Sequence, residues 1–376
     1  GTDPDYIVMS MLLDEVYDIK HVVAQTRRWC RPTTRVVIVT YSRLWRPMIR
    51  LAELMRLKGR VDGENYVPWD EIENIIELEG FEVTQRLDGV LAPIGIPVVS
   101  TAINKWIAPL PLIRAMCLIR VTVARPTQRQ PRPVKSVSVV VAARNESGNI
   151  RELIARVPMM APEQELIFVE GNSTDDTWDV IQRAVADMQE STPMRLIALQ
   201  QQGKGKGDAV RAGFAVASGD VLMILDADLS VPPEELPQFV HALEEDRCEF
   251  ANGSRLVYPM DAKAMRFLNL VGNRFFGILF SYLLGQSVRD TLCGTKVLRR
   301  TDYERIAENR DYFGDFDPFG DFDLLFGASR LGLKIRDLPV HYKERTYGET
   351  NISRFSHGWL LLRMSNVAAR RLKFIG

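Results

Sequence analysis

Cysteine and histidine are scarce in this chain of 376 residues, which contains four of each. The cysteines, Cys30, Cys117, Cys248 and Cys293, are widely separated and form no CxxC pair. A disulfide framework or a zinc site normally needs closely spaced cysteines. The spacing therefore predicts free thiols and a reducing, cytoplasmic setting.

The chain also lacks an excess of either charge, because 48 basic residues balance 48 acidic ones. Nucleic-acid-binding proteins usually carry a positive excess, so we expect no nucleic-acid partner. No apolar run reaches the roughly 20 residues that a membrane-spanning helix needs. The longest such run, Phe275 to Gly285, predicts either a core helix or a helix lying on a membrane surface.

The rest of the composition is typical of a globular protein, with 46% hydrophobic and 26% charged residues. A chain of this length usually forms two domains. The best boundary is the proline-rich segment 125–135, which neither a helix nor a central strand tolerates. We therefore predict a domain over residues 1–124, a linker over 125–135 and a second domain over 136–376. Because the chain begins with Gly1 rather than methionine, we also expect a fragment of a longer protein.

Apolar strands alternate with amphipathic helices in the second domain. The predicted strands are Val137–Val141, Leu166–Val169, Leu196–Leu199 and Val221–Leu225, and residues at helical spacing follow each of the first three. This alternation predicts an α/β fold with a mainly parallel sheet that is covered by helices on both faces. The carboxyl ends of such strands form the ligand-binding edge of the sheet.

Two carboxylates follow the fourth predicted strand, in the sequence Asp226-Ala227-Asp228. Acidic side chains that converge on one point repel each other unless a cation or a shared proton lies between them. Carboxylate oxygens are hard ligands that suit a divalent ion, so we predict that Asp226 and Asp228 bind Mg²⁺ or Mn²⁺. The alternative is a capped turn before a helix that starts near Pro232.

Polar residues also follow the first two strands, in the segments Ala142 to Glu146 and Glu170 to Thr177. Both segments would border the same crevice as the aspartates, although the second could simply cap a helix. The cationic loop Gly203 to Asp208 opens a helix, where its amides and lysines could approach phosphate. It lacks the GxxxxGK[ST] spacing of a P-loop, and a solvated turn would also explain it.

In this order, the segments resemble the family 2 glycosyltransferases of the GT-A fold, in the dolichol-phosphate mannose synthase-like branch that uses polyprenyl phosphates. The resemblance covers about residues 136–356. It is carried by Asn145-Glu146, Glu170 to Thr177, Gly205-Lys206-Gly207, DADLSVPP at 226–233, Asn252 to Arg255, Asp290 to Lys296 and Arg345 to Asn351.

The chain departs from the family pattern at several of these positions. Ala142 and Arg144 stand where the family often has proline and tyrosine, and Glu170 replaces the first of two aspartates that contact the nucleotide. Asn351 occupies the usual position of a lysine, so one phosphate contact is either lost or supplied by Arg354. These departures leave the identity of the nucleotide open.

The resemblance implies a metal-dependent, inverting transfer of a sugar from a nucleotide-diphospho-sugar to a polyprenyl phosphate. It implies catalytic roles for Asp228, Arg255, Asp290 and Arg345, with Arg266 meeting the acceptor phosphate. The substrate-binding residues that it implies are Ala142, Arg144, Glu146, Glu170, Asn172, Ser173, Lys206, Asp226, Ala227, Arg266 and Asn351. An anionic acceptor attacks without a strong general base.

Two other enzymatic functions compete with this interpretation. A glycan or other hydroxyl acceptor would need a general base, for which Asp290, Asp321 and Asp323 are the candidates. A sugar nucleotidyltransferase shares the layout and the metal carboxylates, but it normally has a glycine-rich, lysine-bearing loop after its first strand. Here that loop is Ala143 to Glu146, which argues against a nucleotidyltransferase.

Two apolar segments predict peripheral contact with the cytoplasmic face of a membrane. Arg266 and Arg274 precede the run Phe275 to Leu284, which favours an interfacial helix that receives a prenyl chain. The amphipathic segment Trp359 to Phe374 combines leucines with four cations near its end. A core helix and a domain-packing helix are the respective alternatives, and the sequence leaves an oligomer open.

The pattern of residues 3–124 resembles the second half of a class I methyltransferase that depends on S-adenosylmethionine, with phrases such as DYIVMS and GFEV. The glycine-rich loop and the acidic residue that hold the cofactor in that family have no counterpart here. We therefore expect a truncated, Rossmann-like half-domain that binds no S-adenosylmethionine, from an originally bifunctional protein. A half-sheet would expose an apolar edge, which predicts poor order or pairing with a partner.

Overall fold

The structure is a computed structural model that describes residues 4–57, 59, 68–96, 98–128, 131–258, 267–312, 320–344, 347 and 354–373, with the backbone alone for 267–271, 311, 321 and 354–360. The chain divides into two compact units. The first unit consists of residues 1–129 and 369–376, and the second unit consists of residues 130–368.

The first unit contains a sheet with the strand order β1-β2-β4-β3. Its strands are β1 (Tyr6–Ser10), β2 (Arg35–Tyr41), β3 (Phe81–Gly89) and β4 (Ile119–Pro126). Its α-helices are α1 (Leu12–Glu15), α2 (Ile19–Arg27), α3 (Arg46–Leu54), α4 (Trp69–Leu78) and α5 (Val99–Ala102), with shorter helical turns at Arg43–Trp45, Ile103–Ile107, Arg114–Met116 and Ala369–Lys373. Strand β1 is parallel to β2, and β4 is antiparallel to both β2 and β3.

Helices α2 and α4 pack with the strands of the first unit around a core that includes Val23, Ile38 and Ile76. The edge strand β1 leaves Tyr6 and Val8 exposed by 52% and 63%. An unpaired apolar edge of this kind invites pairing with another strand. The resemblance of this unit to half of a methyltransferase stays a prediction.

The second unit contains a sheet with the strand order β11-β9-β10-β8-β5-β6-β7. Its strands are β5 (Ser136–Ala143), β6 (Glu163–Glu170), β7 (Arg195–Gln200), β8 (Val221–Asp226), β9 (Phe250–Ser254), β10 (Lys296–Arg299) and β11 (Ile335–Pro339). Its α-helices are α6 (Ile150–Arg156), α7 (Thr177–Met188), α8 (Lys206–Val216), α9 (Pro237–Glu244), α10 (Phe267–Leu284), α11 (Arg300–Glu308), α12 (Asp321–Arg330) and α13 (Arg354–Ala368), with shorter turns at Pro233–Glu235 and Arg310–Tyr312.

The predicted α/β fold with a mainly parallel sheet is confirmed. Strands β8, β5, β6 and β7 are parallel neighbours, whereas β10 is antiparallel to both β8 and β9. The four predicted strands lie within β5, β6, β7 and β8. Their apolar runs are nearly continuous because helices cover both sheet faces, and Val139, Val140 and Val141 are all fully buried.

Close packing between α8 and the sheet depends on Gly213. A Cβ atom at this position would lie 2.4 Å from Cγ1 of Val140 and 3.2 Å from Cγ2 of Val169. The helix therefore lies directly on β5 and β6, which fixes the position of its first residue, Lys206, near the carboxyl ends of these strands.

The first two residues of the predicted linker lie in a strand of the first unit. Arg125 and Pro126 are the last residues of β4, and Arg125 is buried in an ion pair with Glu82 at 2.9 Å. Proline is tolerated here because it ends the strand. Residues 369–373, in the predicted C-terminal domain, group with the first unit, and the predicted domain bounds stay a prediction.

The apolar run Phe275 to Leu284 forms the second half of α10. Phe280 and Leu284 are fully buried, whereas Phe275 and Ile278 are exposed by 56% and 75%. The helix thus has a core face and an exposed apolar face. In the described part of the chain, no helix combines the length and the apolar character needed to cross a membrane.

Candidate functional site

The polar segments after β5, β6 and β8 meet at one edge of the second sheet, as the strand pattern predicts. Ala142 pairs with Asp226 on one side and with Val169 on the other, and Ala143 pairs with Glu170. These register positions bring the three strand ends within one crevice. The candidate site is therefore built on the rigid ends of adjacent parallel strands.

Asp226 ends β8 and forms an ion pair with Lys206, whose Nζ lies 2.5 Å from Oδ1. Burial raises the pKa of Asp226, but the charges of Lys206, Arg255 and Lys296 outweigh this effect and lower the pKa below its usual value. The carboxylate therefore stays ionised at neutral pH. Its side chain is 30% exposed, so it remains accessible to a ligand.

Ala227 and Asp228 follow in a turn in which Leu229 has a positive φ of 55°. The Oδ1 atom of Asp228 accepts a hydrogen bond from the backbone amide of Ser230 at 3.0 Å. Among the described residues, no group of three acidic, histidine or cysteine side chains could hold a metal. Two carboxylates are nevertheless a usual protein contribution to a magnesium site that substrate phosphates complete.

Arg255 and Asp290 form a buried, bidentate ion pair behind the aspartates. Asp290 accepts hydrogen bonds from Nε and Nη2 of Arg255 at 2.7 and 2.8 Å, and from the backbone amides of Arg255 and Leu292 at 3.0 and 3.2 Å. Burial raises the pKa of Asp290, but Arg255 outweighs this effect and lowers it. A carboxylate held in this way orients Arg255 and is poorly suited to act as a general base.

The other predicted bases offer no better candidate. Asp323 accepts a hydrogen bond from Nε of Arg310 at 2.7 Å and is 10% exposed in its side chain. The side chain of Asp321 lies outside the described residues. The described part of the site therefore gives no support for proton abstraction from a hydroxyl acceptor.

Lys296 is a further charged residue of this site, for which the sequence predicts no binding or catalytic role. It is fully buried at the start of β10, and its Nζ donates a hydrogen bond to the backbone oxygen of Cys293 at 2.5 Å. Its charge lowers the pKa of both Asp226 and Asp290. In the sequence, the feature that could have indicated this role is the position of Lys296 at the end of the segment Asp290 to Lys296.

Glu170 is the last residue of β6 and forms hydrogen bonds that order the following loop. Its Oε1 accepts a hydrogen bond from the Ser173 amide at 2.5 Å, and its Oε2 accepts one from Nε2 of Gln200 at 3.3 Å. Asn172 has a positive φ of 57° and donates to the Gly203 carbonyl at 3.2 Å. This geometry ties the loop to the glycine-rich segment before α8.

Ser173 and Glu146 connect the loops after β5 and β6. The Ser173 hydroxyl accepts a hydrogen bond from the Asn145 amide at 3.0 Å. The Glu146 amide donates to the Thr177 hydroxyl at 2.9 Å, while its buried carboxylate accepts from Asn149 at 2.7 Å. Glu146 thus connects the two loops, whereas Arg144 is exposed, and the predicted substrate-binding roles of both residues stay predictions.

Tyr347 contacts the loop after β5. Its hydroxyl lies 3.2 Å from the Ser147 hydroxyl, and a Cβ atom at Gly148 would lie 2.6 Å from its ring. The predicted residues Arg266, Arg345 and Asn351 lie outside the described residues.

Replacing Gly294 with alanine is expected to lower sugar transfer by at least about 100-fold, because a Cβ atom there would lie 2.0 Å from Oδ2 of Asp226. The carboxylate would have to leave its position. Steady-state rates measured beside the matched substitution Gly272→Ala, which has open space around it, test this. Equal rates for the two variants would contradict the placement of Asp226.

A separate cavity of about 350 Å³ lies in the first unit, where Ser42 and Arg120 are among its lining residues. The guanidinium of Arg120 lies 3.5 Å from the ring centroid of Trp69 and pairs with Asp88 at 2.8 Å. Within the described chain, its lining includes none of the predicted site residues. The sheet edge of the second unit therefore remains the candidate site.

Comparisons with known proteins match mainly the second unit. Residues 138–307 match the family model of glycosyl transferase family 2. Undecaprenyl-phosphate 4-deoxy-4-formamido-L-arabinose transferases from Yersinia pestis (strain Pestoides F) and Yersinia pseudotuberculosis (serotype O:3, strain YPIII) are each 27% identical over 226 residues, or 59% of this chain. The chain spans 64% of the length of these curated relatives.

Solved structures give a weaker likeness. A crystal structure of glucosyl-3-phosphoglycerate synthase from Mycobacterium tuberculosis, in complex with Mn²⁺, uridine diphosphate and glucosyl-3-phosphoglycerate, is 20% identical. The match covers 63% of this chain and 80% of the synthase chain, with a TM-score of 0.45.

Proposed function

We propose that the glycosyltransferase family 2 domain at residues 138–307 transfers a sugar from a nucleotide-diphospho-sugar to a polyprenyl phosphate. The observation that carries the proposal is the clustering of Asp226, two residues before Asp228, with the charges of Lys206 and Lys296 at the edge of a parallel sheet. Such a site suits a diphosphate that is bound partly through a metal. The names of the two Yersinia relatives, which include undecaprenyl phosphate, support the acceptor class.

Asp226 and Asp228 would hold the metal, with the donor diphosphate supplying further oxygens. A divalent ion bound there, Mg²⁺ or Mn²⁺, would neutralise the charge that develops on the departing diphosphate. Lys206, at the first position of α8, adds a positive charge beside Asp226. Arg255 is held in place by Asp290 and presents an oriented cation to the crevice.

The ion pairs of the described candidate bases support an anionic acceptor. A hydroxyl acceptor must lose a proton, whereas a phosphate oxygen is already charged at neutral pH. Asp290 and Asp323 are each bound to an arginine at 2.7 Å. An anionic acceptor that attacks the anomeric carbon directly, with inversion, therefore fits these side chains better than a sugar hydroxyl.

The acceptor can be tested by incubating the protein with Mn²⁺, undecaprenyl phosphate and a panel of labelled nucleotide sugars. We expect label from one donor to enter the organic phase as a lipid-linked sugar. Label that is released only as free sugar or enters a water-soluble glycan would contradict the proposed acceptor. Omission of the lipid serves as the control.

Contact with a membrane surface is a second part of the proposal, supported by the exposed apolar face of α10. Phe275 and Ile278 are exposed on this helix, next to the exposed residue Arg274. Apolar side chains beside a cation suit the boundary between headgroups and acyl chains. We therefore propose that the protein acts at the cytoplasmic face of a membrane, where a polyprenyl phosphate presents its headgroup.

Ile278→Glu is expected to lower the fraction of protein that sediments with anionic vesicles by at least about threefold, because it places a charge in the apolar contact. The thermal midpoint should change little, since Ile278 is 75% exposed. Val216→Glu, at an exposed position on α8, is the matched control. Equal sedimentation of the two variants would contradict a contact through α10.

A further inference from the structure

Lys206 lies where a cation bound to Asp226 would lie. Its Nζ is 2.5 Å from Oδ1 of Asp226, and the side chains are only 26% and 30% exposed. On the other side, the backbone of Gly294 lies so close to Oδ2 that no Cβ atom fits between them. Approach to this carboxylate is thus restricted from two directions.

The position of Lys206 is built into the start of α8. Gly205 precedes it with a φ of +86°, a conformation that favours glycine. The Gly203 amide donates a hydrogen bond to Oδ2 of Asp208 at 3.0 Å, which closes the loop onto the helix. The lysine is therefore presented to Asp226 by an ordered turn.

A metal ion and the Lys206 ammonium cannot share Oδ1 of Asp226 without strong repulsion, because two positive charges at about 4 Å repel by several kcal/mol at a partly buried site. Asp228 would then be the only other carboxylate of the pair, and its Oδ1 already accepts a hydrogen bond from the Ser230 amide at 3.0 Å. A donor diphosphate changes this balance, because it offers oxygens to the metal and an anion to the lysine.

We propose that, in the protein without bound nucleotide, Lys206 occupies the place of the metal on Asp226. When the donor binds, the lysine side chain moves to contact its diphosphate. Metal and nucleotide then enter the site as a pair, and the metal alone binds weakly. This inference rests on the proposed nucleotide-diphospho-sugar donor. Its key measurement needs no sugar transfer.

The decisive experiment measures Mn²⁺ affinity without nucleotide, from the electron paramagnetic resonance signal of free Mn²⁺. Lys206→Met should bind Mn²⁺ about tenfold more tightly than the wild type, because it removes the competing charge. Lys204→Met removes an exposed charge from the same loop and should change the affinity by less than about twofold. Equal affinities of Lys206→Met and the wild type, or binding by neither, would overturn the inference.

A second measurement separates this role from a purely structural one. Binding of labelled uridine and guanosine diphosphates in the presence of Mn²⁺ should be about tenfold weaker in Lys206→Met, since a charge-assisted phosphate contact is lost. A collapsed loop would weaken the binding of both Mn²⁺ and nucleotide, and that result would also overturn the inference. If Lys206→Met binds Mn²⁺ more tightly but the wild type transfers no sugar, the inference on Lys206 stands and the proposed function is contradicted.

Discussion

Asp228→Asn is expected to lower the kcat of the proposed sugar transfer by roughly 1,000-fold, because the metal proposed to stabilise the leaving diphosphate would lose a charged ligand. The fold should survive, since the asparagine oxygen can still accept the hydrogen bond that the Ser230 amide donates to Asp228 at 3.0 Å. Transfer rates at saturating donor and a thermal unfolding curve are the two measurements.

Asp179→Asn provides the matched control for this substitution. It makes the same chemical change at an exposed position on α7, and it should leave both the rate and the thermal midpoint near the values of the wild type. A rate for Asp228→Asn within about tenfold of the control would contradict the role of Asp228 as a metal ligand.

Asp290→Ala is expected to lower the free energy of unfolding of the second unit by about 3–5 kcal/mol, because it leaves the Arg255 guanidinium buried without a partner. The Arg255 side chain is 11% exposed and that of Asp290 is fully buried, so solvent cannot replace the lost carboxylate. Urea denaturation followed by intrinsic fluorescence measures the change.

The double substitution Arg255→Met with Asp290→Leu distinguishes the structural role of this pair from its catalytic role. Two apolar residues should restore part of the stability, since they remove both buried charges together but leave the Arg255 and Leu292 amides without the acceptor that Asp290 provides. Sugar transfer should stay low because the oriented guanidinium is missing. Full recovery of the rate in the double variant would show that Arg255 acts on the fold alone.

The positions of the site segments could be predicted because they depend on local sequence. A continuous apolar run ends at Leu225, and a parallel sheet places whatever follows such a strand at its ligand-binding edge. The structure accordingly brings Asp226 next to Ala142. Strand ends were less predictable, since β4 continues through Pro126 by pairing with Phe81.

The pairing of charged side chains could not be predicted, because it depends on strand register across the sheet. The charge of Lys296 acts on Asp226 because β10 pairs with β8 in a register that sets Lys296 opposite Ile224. The ion pair between Lys206 and Asp226 joins residues that are 20 positions apart. Motif spacing marks each of these residues separately, and only the fold shows which charges neutralise one another.

The central claim is that Asp226 and Asp228 support metal-dependent transfer of a sugar to a polyprenyl phosphate. The most direct test removes metal from the wild type with a chelator, adds Mn²⁺ back, and follows labelled sugar into lipid extract, with Asp228→Asn in parallel. The account predicts that transfer stops, returns with Mn²⁺ in the wild type and stays low in the variant. Undiminished transfer in the chelator, or equal recovery of the two proteins, would contradict it.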